Sequence, residues 1–94
     1  MGRADLHNKI LITVNYCAQR SGNQCKNSDV VRAFNYWFRE DVSPETITRH
    51  LRQLAINGVL LRSHYEKNVY FSPVHPMSEI ENPSHFFKMQ EVCL

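Results

Sequence analysis

The side chains best suited to chemistry lie along residues 44–57, where basic and amide groups alternate with leucines. Arg49 and Arg52 are three residues apart, and Gln53 follows them directly. In a helix, residues three apart share a face, so both guanidinium groups would point the same way. A guanidinium can bind the edge of guanine, and a glutamine amide can bind adenine. Taken alone, the pattern is typical of a solvated helix face, and binding of both guanidinium groups in a nucleic-acid groove is the alternative.

Four further residues are candidates for contacts with a phosphate backbone. Thr46 and Thr48 lie near the start of the same segment, where hydroxyls and free N–H groups can bind phosphate. A threonine can instead contact a thymine methyl. The alternative is that both threonines only cap and fill the helix. Arg62 and Lys67, the other two candidates, come later, in a segment with the alternation of a hairpin.

The cysteines and histidines do not have the spacing of a metal site. The sequence contains no Cys-x-x-Cys and no His-x-x-x-His. Cys17, Cys25 and Cys93 are an odd number and widely spaced, which favours reduced thiols and a cytoplasmic setting. Cys25, beside Lys26, is a candidate redox-sensing thiol. We expect no metal and no cofactor.

Motifs typical of enzymes are also missing from the sequence. There is no Gly-x-Ser-x-Gly, no Gly-rich phosphate loop and no pair of carboxylates beside a base. His50 and His64 could each be argued as a base, but polar histidines on a nucleic-acid-binding surface explain them better. We therefore expect a protein without enzymatic activity.

Length and composition predict one globular domain. The chain has 94 residues, of which 43% are hydrophobic, so it can build one modest core and is not disordered. No apolar run approaches the roughly 18 residues of a membrane helix, so no membrane partner is expected. Residues 1–27 carry four basic and one acidic side chain, whereas residues 73–94 carry one basic and three acidic ones. The basic segment 1–27 favours an anionic partner.

The apolar spacing predicts three helices. The first covers residues 5–20 and ends at Gly22, a residue suited to a left-handed cap. A linker or very short strand over 24–26 follows, and Asn27 or Ser28 caps a second helix. Its expected core residues are Phe34, Trp37 and Phe38, with Tyr36 outside that face.

The third helix, residues 44–57, has the clearest end signals. Ser43 is a good N-cap, Pro44 suits the first helical position, and Gly58 stops the helix. Its predicted buried face is Ile47, Leu51 and Leu54.

Alternation after Gly58 predicts a hairpin of residues 59–65 with residues 68–73, whose turn uses Asn68 at a positive φ.

Ser84 is then expected to cap a short last helix through Cys93. That tail is rich in apolar residues, namely Phe86, Phe87, Met89, Val92 and Leu94. Two alternatives stay open for it: packing on the domain, or packing on a second copy.

This order of elements resembles the winged helix-turn-helix domain of small transcription regulators. The resemblance covers residues 28–72, about half of the chain, and is sharpest over residues 43–54 and 57–62. In that family a polar cap opens the recognition helix, threonines and arginines face DNA, and leucines face the core. It implies an α+β, mainly α fold over residues 1–73, with three helices and a β-hairpin wing. Residues 74–94 would be a C-terminal extension, docked or dimerising.

The resemblance also implies sequence-specific binding of double-stranded DNA, as in a transcription regulator, with helix 44–57 in the major groove. The implied DNA-binding residues are Thr46, Thr48, Arg49, Arg52, Gln53, Arg62 and Lys67. One copy would neutralise only about four or five phosphates, so a homodimer on a two-fold site is expected. The chain would act in the cytoplasm, on the nucleoid of a bacterium, or in a eukaryotic nucleus. The rival interpretation is a protein-interaction module on the same fold, which Glu45, Glu66 and an exposed Ile56 would suit.

Overall fold

The structure, a computed structural model, describes the backbone of residues 3–92 and the side chains of residues 5–90. Its elements, in chain order, are α1 (Arg3–Arg20), β1 (Cys25–Lys26), α2 (Asn27–Phe38), α3 (Pro44–Ile56), β2 (Leu60–Tyr65), β3 (Asn68–Pro73) and α4 (Pro83–Val92). The fold is α+β and mainly helical, as predicted. The predicted helix end at Cys93, and Leu94 after it, lie outside the described residues.

The three strands form one antiparallel sheet in the order β1-β3-β2. The segment before α2 is therefore a strand, and it pairs Cys25 with Phe71 and Lys26 with Tyr70. All six residues of β2 pair with β3. The residue with a positive φ in the hairpin turn is Glu66, at 58°, so the prediction that Asn68 has it was wrong. The reason is that Asn68 already pairs with Tyr65 in the sheet.

Local signals explain where α3 begins and ends. The hydroxyl oxygen of Ser43 accepts a hydrogen bond from the backbone N–H of Thr46 at 3.2 Å, and Pro44 opens the helix. Gly58 has a φ of 79° and closes it, because a residue with a Cβ adopts that conformation at a cost. These predicted end signals are confirmed.

The predicted caps of the two neighbouring helices were wrong by one or two residues. The residue before α2 is Lys26, whose backbone N–H donates to the Asp29 carboxylate at 3.4 Å. Pairing of Lys26 with β3 holds it in the extended conformation that this position needs. At α4, the Asn82 side-chain oxygen accepts from the backbone N–H of His85 at 3.0 Å, so the helix begins before Ser84.

The main core lies where α1, α2 and α3 meet the sheet. It consists of Ile10, Val14, Cys17, Cys25, Val30, Phe34, Ile47, Leu51, Leu54, Leu60 and Phe71. The predicted buried face of α3 is confirmed, and Phe34 is fully buried. Trp37 and Phe38 are only partly buried. Phe38 lies at the edge of α2 where the C-terminal segment passes, and the Trp37 ring meets those of Tyr16 and Tyr36 edge to face.

A second apolar cluster joins the C-terminal segment to the other side of α1. Ile12 packs there with Ile80 and Phe87, and all three are buried. Hydrogen bonds support the contact: the Gln19 side-chain oxygen accepts from the N–H of Ile80 at 2.8 Å, and that of Asn15 accepts from the N–H of Met77 at 2.9 Å. The C-terminal segment therefore packs against its own chain, so α1 is buried on two sides.

Lys9 and Glu40 form a partly buried ion pair beside this second cluster. The Lys9 Nζ lies 2.6 Å from a Glu40 oxygen and 5.1 Å from the centre of the Phe87 ring. The charge of Lys9 is therefore paired within the fold, although the residue belongs to the basic segment 1–27.

No helix in residues 3–92 is long and apolar enough to cross a membrane.

Replacing Phe87 tests whether α4 contributes to stability. Phe87→Ala is expected to lower the free energy of unfolding by about 3 kcal/mol, because it removes a buried ring. Met89→Ala is the control: Met89 is 53% exposed on the same helix, and a change within about 0.5 kcal/mol is expected. Urea unfolding measures both. Equal midpoints for the two variants would contradict the docking of α4.

Candidate nucleic-acid interface

A cleft of about 380 Å³ lies between the start of α2, the exposed face of α3 and the hairpin. We call it the cationic cleft. Its lining residues are Lys26, Asn27, Ser28, Thr48, Arg52, Arg62, Lys67, Asn68, Val69 and Phe71. Four of these are cations, and no acidic side chain among residues 5–90 lines the cleft. Clustered cations without a counter-charge create a positive potential that favours a polyanion.

The pairing of β1 with β3 brings one wall of this cleft into place. It places Lys26 beside the hairpin, with its Nζ 5.8 Å from the centre of the Tyr70 ring. Asn27 and Ser28 follow at the first turn of α2, where backbone N–H groups have no partner within the helix. Together with the helix dipole, such groups attract anions. These three residues were not among the predicted site residues: the sequence left Lys26 in a linker or very short strand and gave Asn27 and Ser28 only as helix caps. A lysine directly before a helix start was the available signal.

Thr48 connects two walls of the cleft. The Asn27 side-chain N–H donates to the Thr48 hydroxyl oxygen at 3.1 Å, which ties the start of α2 to the middle of α3. The Thr48 hydroxyl can still donate its own hydrogen. Its predicted neighbour Thr46 is differently placed, because its backbone N–H and its hydroxyl both bond to the Ser43 hydroxyl. The Thr46 N–H predicted for phosphate is thus already used by the helix cap.

Arg49 and Gln53 lie on the part of α3 that adjoins the cleft. Arg49 shares one cavity with Arg52 and Glu45, and a second cavity of about 220 Å³ with Gln53 and the histidines His7 and His50. The Gln53 side-chain N–H donates to the Asn57 side-chain oxygen at 3.2 Å, which leaves its carbonyl oxygen on the surface. The exposed face of α3 therefore runs without interruption from the cationic cleft to α1.

Two histidines link α3 to α1 at the far side of this surface. The His50 Nδ1 and the His7 Nε2 are 3.0 Å apart, and the rings meet edge to face with centroids 4.3 Å apart. One nitrogen must donate and the other accept. Both rings are partly buried. The pair joins α3 to α1 beside Arg49 and Gln53. His7 and His50 are 43 positions apart, so the periodicity of the sequence does not indicate this contact.

The structure therefore divides the predicted site residues into three groups. Thr48, Arg52, Arg62 and Lys67 line the cationic cleft. Arg49 and Gln53 lie on the adjoining face of α3. Thr46 belongs to the helix cap.

The environment of Cys25 is unfavourable to the candidate redox role. Cys25 is buried in the main core, and its thiol points at the carbonyl oxygens of Val14 and Phe71. A hydrogen bond with Cys17 and burial raise the pKa of Cys25, which keeps the thiol neutral. The same hydrogen bond lowers the pKa of Cys17. The neighbouring Lys26 points along the outer side of the sheet, toward Tyr70, and so does not activate Cys25.

Comparisons with known proteins add no relative: the chain matches no family model, no curated protein and no solved structure.

Alkylation tests the contrast between the two cysteines. In a Cys93→Ser background, iodoacetamide is expected to modify Cys17 before Cys25. The thiolate is the reactive form, and the lowered pKa of Cys17 lets it form at a lower pH than the thiolate of Cys25. Mass spectrometry of peptides after timed labelling at pH 7 to 9 measures both rates. In urea the rates should converge, and faster labelling of Cys25 in the folded protein would contradict this assignment.

Proposed function

We propose that this protein binds double-stranded DNA as a winged helix-turn-helix transcription regulator, with α3 as the recognition helix and the β2–β3 hairpin as the wing. The observation that carries the proposal is the cationic cleft. Arg52 of α3 and Arg62 and Lys67 of the hairpin line it together, and no carboxylate among residues 5–90 does. Lys26 of β1 adds a fourth cation at its rim, with the Nζ over the Tyr70 ring. That convergence is what a phosphate backbone beside a groove-bound helix requires.

The exposed face of α3 supplies the groups for base contacts. A helix of this diameter fits the major groove, and Arg49, Arg52 and Gln53 are all exposed on it. Neither arginine has an ion-pair partner among the described side chains, so both guanidinium groups can bind guanine. Arg52 also lines the cationic cleft, so it lies where a base edge and the neighbouring phosphate would both be within reach.

The groups beside α3 suit the phosphate backbone along one side of the bound helix. Arg62 and Lys67 on the hairpin, and Lys26 before α2, would lie against phosphates on one side of the recognition helix. The free N–H groups at the start of α2 would add a contact that is independent of side-chain length. These contacts position the protein, whereas discrimination between sequences would come from α3.

Salt dependence measures the number of phosphates involved. For a labelled duplex of mixed sequence, the logarithm of the association constant should fall with the logarithm of salt with a slope of roughly −3 to −5, since about four phosphates are neutralised. Fluorescence anisotropy at about 50 and 200 mM salt should then show a loss of roughly 100-fold. Absence of binding at about 50 mM salt and high protein concentration would overturn the proposal.

A pair of charge-matched variants separates the cleft from general electrostatics. Arg52→Ala should weaken binding about tenfold or more at low salt, equivalent to about 1.4 kcal/mol. Lys88→Ala removes the same charge from α4, which contacts neither α3 nor the sheet strongly, and should leave the affinity within about twofold. The same anisotropy titration reports both. Equal losses in the two variants would mean that net charge alone drives binding.

A protein-interaction module is the second candidate function, and one observation favours it. Ile56, on the last turn of α3, is 78% exposed, and the exposed Glu45 lies at the other end of the same helix. An apolar side chain on a recognition surface can anchor a protein partner as well as contact a thymine methyl. Binding of a protein with little dependence on salt, on Arg49 or on Arg52 would support this candidate instead.

A further inference from the structure

Strand β2 is an open edge of the sheet. In the order β1-β3-β2 it has a neighbour on one side only. All six of its residues pair in unbroken register with β3, so no bulge bends the edge. The strand Leu60–Tyr65 contains neither proline nor lysine, two residues that commonly block edge strands. It therefore lacks most of the features that prevent one edge from pairing with another.

The outward backbone groups of this edge can be assigned from the register. The N–H of Val74 donates to the carbonyl oxygen of Val59 at 3.1 Å, just beyond the first strand pair. Bonded and non-bonded pairs alternate along an antiparallel ladder, so Leu61, Ser63 and Tyr65 bond to β3. The backbone N–H and C=O groups of Arg62 and His64 consequently point away from the sheet.

The side chains of the same strand present an apolar pair on the outer face. Leu61 is 61% exposed and Tyr65 is 68% exposed, and both lie on the face opposite the buried Leu60. Between them lies Ser63, whose small side chain permits a close approach. Arg62 and His64 lie on the other face, toward the cationic cleft.

We propose that β2 pairs antiparallel with β2 of a second copy of this chain, with Ser63 opposite Ser63 at the two-fold axis. In this register Arg62 faces His64 of the second copy, and their outward N–H and C=O groups form four backbone hydrogen bonds. Leu61 then faces Tyr65 of the second copy, and by symmetry Tyr65 faces Leu61 of the second copy, which gives two aliphatic–aromatic pairs. The strand is thus complementary to itself in both backbone and side chains, which identifies a second copy as the occupant.

The C-terminal segment is not needed as the seam of this dimer. Two of its large apolar residues, Ile80 and Phe87, are already buried against α1 of their own chain, and Met89 is the exposed one on α4. The two-fold axis is perpendicular to the sheet, so the same face of the sheet lies on the same side in both copies. Both cationic clefts therefore lie on one side of the continuous six-stranded sheet, a consequence that rests on the proposed function. The strand pair alone is smaller than the roughly 1,200 Å² of stable interfaces, so association without DNA is weak.

Disulfide trapping captures such a weak dimer. In a Cys93→Ser background, Ser63→Cys should form a covalent dimer with diamide, since directly opposed residues of a non-bonded pair have Cα atoms about 4.5 Å apart. The control is Ser72→Cys, on the same face but on β3, one strand away from the edge. Rates are normalised to each thiol's reaction with a soluble disulfide reagent. We expect Ser63→Cys to cross-link at least tenfold faster than Ser72→Cys, and equal normalised rates would overturn the proposal.

The register is tested by mixing two further variants in the same background. Leu61→Cys and Tyr65→Cys should cross-link to each other, because these residues face one another in the dimer, and each should cross-link poorly with itself. Self-linked dimers that equal the mixed dimer in yield would overturn the register. Adding Leu61→Lys to Ser63→Cys should reduce the covalent dimer several-fold, and an unchanged yield would overturn the role of the apolar pairs.

The trapping experiment does not depend on nucleic acid. A Ser63→Cys dimer that shows no salt-dependent binding to a duplex would leave the strand pairing intact and remove the proposed function. Conversely, salt-dependent DNA binding by a protein that does not cross-link at Ser63 would leave the proposed function intact and remove the pairing.

Discussion

A single two-residue strand pairing, Cys25–Lys26 with Tyr70–Phe71, connects the helical part of this protein to its hairpin. The inward residues of that pairing, Cys25 and Phe71, are buried in the main core with α1, α2 and α3. The outward residue Lys26 lies at the start of α2 and at the rim of the cationic cleft. The pairing adds a third strand to a hairpin that also packs on the helices through Leu60 and Phe71. The position of Lys26 and of the start of α2 beside the cleft therefore depends on a contact between segments about 45 residues apart.

The other constraint is the burial of α1 on two sides. One face packs on the main core and the opposite face on Ile80 and Phe87, so buried Thr13 and Asn15 must find partners within the fold. The Thr13 hydroxyl donates to the carbonyl oxygen of Lys9, and the Asn15 side chain binds Leu11 and Met77. Lys9 pairs with Glu40 and Arg20 stacks on the Tyr16 ring, so among residues 5–27 Lys26 is the basic residue that lines the cationic cleft.

The hairpin offers different groups in different directions. The side chains of Arg62 and Lys67 line the cationic cleft, whereas the backbone of Arg62 and His64 faces the open edge of the sheet. Because side chains and backbone hydrogen bonds of a strand point along perpendicular directions, one strand can line a cleft and pair with a second copy at the same time. DNA binding and strand pairing are therefore compatible on β2.

The sequence by itself determined the features that depend on neighbouring residues. The cap at Ser43, the stop at Gly58 and the buried stripe Ile47–Leu51–Leu54 follow from signals within one or two turns of chain. They also place the exposed arginines of α3. Alternation likewise predicts the extents of the two hairpin strands, although not the residue of the turn with a positive φ. Tertiary structure decided the rest, because contacts across many residues leave no periodic trace. One such contact is the pairing of β1 with β3, which decides between the linker and the short strand that the sequence left open. Others are the second buried face of α1 and the pairing of His7 with His50. The last is the meeting of Arg52, Arg62 and Lys67 around one cleft, with Lys26 at its rim. Each residue's chemistry is local, but the charge density that distinguishes a polyanion site from a solvated helix exists only where separate elements meet.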